Sequence, residues 1–102
     1  MSYQVNDIAK YLIWRANQDA EMGENITNLK LQKLVYYVQG FSLAWTNEPL
    51  FSEPIVAWAH GPVVPALYQI YRENRGQPIE TPQDFDHDTY DPETISLLES
   101  VY

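Results

Sequence analysis

Three groups of residues in this 102-residue chain have types and spacings that could do chemistry. The first is Asp84-Phe85-Asp86-His87-Asp88, where carboxylates at alternate positions look like the opening of a calcium loop. The loop breaks down further on. The position that needs glycine holds Thr89, and the twelfth, which needs a bidentate Glu, holds Ile95. The second group is His60-Gly61-Pro62, which could place a base or an anion ligand at a helix start. With two histidines, no cysteine and no orienting carboxylate pattern, no nucleophile–base triad assembles around it. The third group is the glycines, and Gly23, Gly40, Gly61 and Gly76 stand alone, so no phosphate-cradling loop is formed. No metal or cofactor is expected, and the chain does not read as an enzyme.

Aromatic and charged surface remains. Eight Tyr, three Trp and three Phe exceed what a core of this size usually needs. Tyr and Trp offer large, stiff contact area with a polar tip, which suits interfaces. Tyr11, Trp14, Tyr36, Tyr37, Trp58 and Tyr68 do not all fit core faces, so an exposed aromatic patch and a protein-binding role are expected. The formal charge is −8, from 6 Lys+Arg against 14 Asp+Glu, which opposes general nucleic-acid binding. That charge is unevenly placed: residues 1–47 sum to zero, whereas residues 77–102 hold seven acids and neither Lys nor Arg. Lys30 and Lys33 therefore sit in neutral surroundings, and the acidic stretch reads as a solvated loop or as an arm for a basic partner. The lack of cysteine fits a reducing compartment, and the longest apolar run, Ile55 to Ala59, is far below the ~20 residues of a membrane span. A cytoplasmic location follows as the expectation.

These residues need elements to position them. Ile8, Ala9, Leu12 and Ala16 share one helical face over residues 7–20, with Asn6 as cap and Glu21-Met22-Gly23 as stop. Trp14 and Tyr11 fall off that face. A second helix starts at Thr27 and ends at Asn47-Glu48-Pro49, with Leu31, Leu34, Val35, Val38, Phe41 and Trp45 as its core stripe. Lys30, Lys33 and Tyr37 border that stripe, and Tyr36 and Gln32 point elsewhere. An extended segment follows near residues 50–60, broken by His60-Gly61-Pro62, and Pro65 opens a third helix running to about Asn74. Residues 77–90 form an acidic loop, and Asp91-Pro92-Glu93 starts a last helix that the chain's end at Tyr102 leaves short. It either docks firmly or belongs to a longer helical stretch.

Two segments carry a family resemblance. Ile26-Thr27-Asn28-Leu29-Lys30-Leu31-Gln32-Lys33-Leu34-Val35-Tyr36-Tyr37-Val38-Gln39-Gly40, then Pro54-Ile55-Val56-Ala57-Trp58 and Gly61-Pro62-Val63-Val64-Pro65-Ala66-Leu67-Tyr68, resemble the Panacea domain of SocA-like antitoxins and phage-associated GepA-type proteins. The resemblance covers about residues 5–76 well and the rest loosely. It implies a bacterial or prophage antitoxin that neutralises a cognate protein toxin by contact, in some members as an adaptor to a cellular protease.

The expected fold is mainly α: one small single-domain bundle of about four helices with a short extended segment near residues 50–60. Within it, residues 1–76 form the helical core, 77–90 the acidic loop and 91–102 the start of a C-terminal helix. The candidate partner-binding residues are Trp14, Lys30, Lys33, Tyr36, Tyr37, Trp58, His60 and Tyr68. The alternative function is a DNA-binding regulator with a helix-turn-helix-like order over residues 7–46.

Overall fold

Helix α1 runs Val5–Gln18 and starts two residues before Asn6 could cap it. The Gln4 N–H donates to Asp7 Oδ2 (3.2 Å), and the Val5 N–H donates to Glu53 Oε2 (3.1 Å). Asn6 is occupied otherwise, accepting the Tyr71 hydroxyl at 2.7 Å. In this computed structural model, which describes residues 3–19 and 26–102, the expected stop at Glu21-Met22-Gly23 lies outside the described residues. The helix buries Val5, Ile8, Ala9, Leu12, Ile13 and Ala16 as its period dictates, and Tyr11 as well, which is only 1% exposed.

Helix α2 spans Asn28–Thr46. Thr27 Oγ1 accepts the Lys30 N–H at 3.4 Å, and Asn47, in the left-handed region at φ 62°, ends the helix ahead of Pro49. Its buried face differs from the apolar stripe. Asn28, Leu31, Gln32, Val35, Val38, Gln39 and Ser42 face inward, whereas Leu34 and Phe41 are half-buried and Trp45 is 64% exposed. The inward spacing of three and four residues is helical, but it alternates apolar residues with amides. Polar groups enter a core only when hydrogen-bonded, and each of these amides is.

Strands β1 (Val56–Trp58) and β2 (Gly61–Val63) form an antiparallel hairpin, pairing Val56 with Val63, Ala57 with Pro62 and Trp58 with Gly61. The expected break at His60-Gly61-Pro62 is thus a turn at Ala59-His60 followed by a returning strand. A two-stranded ribbon has only edges, so Pro62 is tolerated there. Gly61 takes φ +126°, which side chains rarely adopt.

Helix α3 (Pro65–Tyr71) follows, then a 3-10 turn at Arg72–Asn74 that closes with Arg75 and Gly76 at positive φ. Helix α4 (Pro92–Val101) begins as its sequence dictates, with Asp91 accepting the Thr94 N–H at 3.2 Å and proline in the first turn.

Residues 77–90 are more than a solvated loop. The Ile79 N–H donates to the Ile26 carbonyl (2.9 Å), and Ile79 and Tyr90 join the core beside Leu97 and Leu98 of α4. Two of the segment's acids and one of α4 are spent inside the molecule. Asp84 meets Lys10 at 2.8 Å, Asp86 caps the short turn His87–Thr89, and Glu99 meets Arg15 at 3.0 Å. The result is a small, mainly helical fold with, among the described residues, four α-helices and a two-stranded hairpin. Among the described residues, no helix is long and apolar enough to cross a membrane.

Candidate protein-docking surface

The outward face of α2 and the hairpin beside it carry the exposed Tyr36, Tyr37, Trp45 and Trp58, and buried amides hold the two together. The Val64 N–H donates to Gln32 Oε1 at 2.9 Å, and Gln32 Nε2 donates to Asn28 Oδ1 at 2.9 Å. Asn28 Nδ2 in turn donates to the Tyr68 carbonyl at 3.2 Å. This chain of three bonds runs from α2 through the end of the hairpin to α3. One turn pair further along, Gln39 accepts the Leu50 N–H (2.8 Å) and donates to the Phe51 carbonyl (2.7 Å), pinning the strand-like entry to the hairpin. Each bond replaces one to water and contributes about 1 kcal/mol, but losing one partner would strand a buried group at about 1–3 kcal/mol.

Outside this frame, α2 presents Leu29, Lys33, Tyr36, Tyr37 and Gly40 on turns that follow one another along one side, with Tyr37 58% exposed. The Tyr36 and Tyr37 rings lie 5.7 Å apart. The hairpin adds Trp58, 37% exposed, whose ring meets Tyr68 edge-on at 5.1 Å and His60 at 5.9 Å. Tyr68 continues the surface into a shallow depression of about 180 Å³ between Thr27, Asn28 and Leu29 on one side and Arg72, Arg75 and Gly76 on the other. Lys33 reaches toward the hairpin turn: its Cε would lie 3.9 Å from a Cβ placed on Gly61.

Seven of the eight residues singled out from the sequence are gathered here. Lys33, Tyr36, Tyr37, Trp58, His60 and Tyr68 share the face, and Lys30 is exposed on the first turn of α2. Trp14 lies elsewhere. It stacks on Phe85 at 5.3 Å, takes His87 at 5.2 Å and lies 5.5 Å from Tyr11, half-buried beside the acidic segment. Tyr11 beneath it donates to Glu99 Oε2 at 2.7 Å, and burial together with that carboxylate pushes its phenol well above the usual range. The apolar stripe of α2 places Gln32 away from the core, yet it is 1% exposed, because the distant Val64 N–H needs its acceptor.

Two residues of this surface escaped the sequence reading, Arg72 and Arg75. The available signal was that no Lys or Arg lies between Lys33 and Arg72 or after Arg75. Lys10 and Arg15 form ion pairs, whereas Lys33, Arg72 and Arg75 meet no carboxylate among the described residues. No three histidines or carboxylates converge among the described residues, and the Asp84–Asp88 run is divided between the Lys10 pair and the turn it caps.

The profile of the antitoxin SocA-like, Panacea domain family matches residues 31–100, more than half of the chain. The chain belongs to this family. The matched segment holds α2 from Leu31 onward, the hairpin, α3 and nearly all of α4. It begins later than the resemblance over residues 5–76, and it takes in the acidic segment that the resemblance covered only loosely. Antitoxin SocA of Caulobacter vibrioides (strain NA1000 / CB15N) is 41% identical over 49 residues, 48% of this chain, and the chain spans about a quarter (26%) of that relative's length. No solved structure matches. Within the Panacea segment lie Lys33, Tyr36, Tyr37, Trp58, His60 and Tyr68, and with them both buried glutamines that set the hairpin against α2.

Proposed function

We propose that this Panacea-family chain is an antitoxin-type binding module that neutralises a cognate protein toxin by direct contact in the cytoplasm, without catalysing a reaction. The observation that carries this reading is the continuous exposed aromatic face of α2 and the hairpin, built on a rigid buried amide network. Gly40 adds to it. Glycine inside a helix costs about 1 kcal/mol relative to alanine, and among the described residues nothing outside its own stretch of helix lies within 4 Å of the space a Cβ would fill there. An outside surface approaching closely beside Tyr36 and Tyr37 would account for the residue.

Co-expression of the neighbouring reading frame tests the proposal. The neighbour is expected to arrest growth alone and to be tolerated with this chain, and a neighbour harmless by itself would sink the reading. The half-life of the toxin separates two forms of neutralisation: blocking leaves it unchanged, whereas delivery to a cellular protease shortens it. A DNA-binding regulator would use the same α2 face through Lys30 and Lys33. A mobility shift that weakens steeply with salt would replace the antitoxin reading with that one.

A further inference from the structure

We infer that the band formed by Lys33, Trp58, Tyr68, Arg72 and Arg75 receives an acidic, extended segment of a protein partner. The inference rests on the antitoxin reading and gives the chemistry of what that surface grips. Five of the six cations fall into two sets. Lys10 and Arg15 on α1 are spent on Asp84, Asp19 and Glu99. Lys33, Arg72 and Arg75 meet no carboxylate among the described residues, although acids outnumber bases 14 to 6 in the sequence. Among the described residues, Glu73 is the single acid lining the depressions around Tyr68, and the band they form is locally positive.

The pieces are contiguous. Tyr68 borders both depressions that hold Arg72 and Arg75, and its ring meets Trp58 on the hairpin, whose turn lies beside Lys33. Arginine forks match carboxylates in a bidentate way, and the Trp58 and Tyr68 rings supply apolar contact for the side chains between them. β1 is exposed along its length and has a partner strand on one side only, so an extended chain can lie along its free edge. Nucleic acid fits less well. A phosphate backbone would track past three cations into a molecule of net charge −8, whereas a few carboxylates end where the cations end.

Amide chemical shifts of the isotope-labelled full chain decide the matter. The probe is a short synthetic peptide alternating Glu with Phe and Leu; its controls are the same peptide with Gln for Glu and a single-stranded oligonucleotide of equal length. The acidic peptide is expected to shift resonances of residues 56–63 and 68–76 and of Lys33, with affinity falling about tenfold from low to high salt. The Gln peptide should give no shifts at the same concentration. The double variant Arg72→Glu/Arg75→Glu should abolish the response while the rest of its spectrum overlays the parent; if it does not fold, Arg72→Gln/Arg75→Gln serves instead. Equal binding of the Gln peptide, shifts located elsewhere, an unaffected double variant, no response at all, or a response to the oligonucleotide alone would each overturn the inference. Toxin neutralisation is read separately by co-expression, so a failure here is distinguishable from a failure of the antitoxin reading.

Discussion

Gln32 accepts the backbone N–H of Val64 at 2.9 Å in the interior, joining two residues separated by 32 positions in the chain. The same side chain holds Asn28, which holds Tyr68, so one buried amide sets the angle between α2 and the surface beside it. Gln32→Leu would leave the Val64 N–H and Asn28 Oδ1 without that partner, at a cost of about 2–3 kcal/mol. Urea unfolding should show the loss, and hydrogen exchange at Val64 should accelerate even in the folded state. Unchanged protection at Val64 would mean the bond carries no weight.

The three tryptophans separate by role. Trp14→Ala removes a ring stacked on Phe85 and packed on Tyr11, and should destabilise the protein by about 2–3 kcal/mol. Trp45→Ala removes a largely exposed ring and Trp58→Ala one that is a little over a third exposed, and each should cost less than the loss of Trp14, about 1 kcal/mol. Under the antitoxin reading, Trp58→Ala weakens toxin binding with little change in melting point. Equal melting shifts for Trp14→Ala and Trp58→Ala would contradict this division.

Stability should fall at both ends of the pH scale. At the acid end, bonds from Thr94 and Tyr3 hold the Asp91 carboxyl below its usual range, and the Lys10 ammonium does the same for Asp84. A depressed carboxyl contributes stability that is present above its unfolded value and is lost as pH falls through the folded one. Asp91→Asn should therefore flatten the loss of stability below pH 3.8, the ordinary aspartate value. At the alkaline end the sign is reversed. Burial pushes the Tyr71 phenol up to about 12, with Asp84 adding to the effect, and pushes Tyr11 and Tyr90 higher still. Their contribution is whole below pH 10 and is lost as pH rises through the folded values. Tyrosinate absorbance should accordingly show these three of the eight tyrosines ionising only with unfolding.

Two glycines predict opposite outcomes for the same substitution. Gly61→Ala forces a side chain into φ +126° and should cost about 1–3 kcal/mol although the nearest atom, Lys33 Cε, stands 3.9 Å away. Gly40→Ala meets nothing within 4 Å on an exposed helical face and should stabilise by about 0.5–1 kcal/mol. Thermal melting of the two variants checks the signs. Weaker toxin binding by the more stable Gly40→Ala would tie that glycine to the interface.

What the sequence disclosed was local. Thr27, Asp91, Pro65 and Asn47-Glu48-Pro49 mark helix ends through chemistry within a few residues, and the structure keeps each of them. The surplus of aromatics likewise announced a surface, and Lys33, Tyr36, Tyr37, Trp58 and Tyr68 share it. What stayed hidden depended on distant segments. Periodicity put Gln32 outside and Trp45 inside because it counts apolar side chains, whereas the real face is chosen by backbone groups at Leu50, Phe51 and Val64 that need amides. Tyr11 and Trp14 looked exposed on α1 until Phe85, His87 and Tyr90 arrived from the far end of the chain. His60-Gly61-Pro62 reads as a break in an extended segment, yet Pro62 pairs with Ala57 in β2, because proline is kept out of central strands and not out of a ribbon with two edges.

The bonds that fasten α1 span most of the chain: Tyr3 to Asp91 and Tyr11 to Glu99 each cross 88 positions, and Lys10 to Asp84 crosses 74. A nascent chain leaving the ribosome would therefore expose the aromatic side of α1 until residues 84–99 had been made. Closing loops of that length comes late and slowly, so α2 and the hairpin, whose contacts are shorter in sequence, should order first. Helix α1 is then secured later than α2 and the hairpin that follow it, and the interval is one in which chaperones or proteases can reach it.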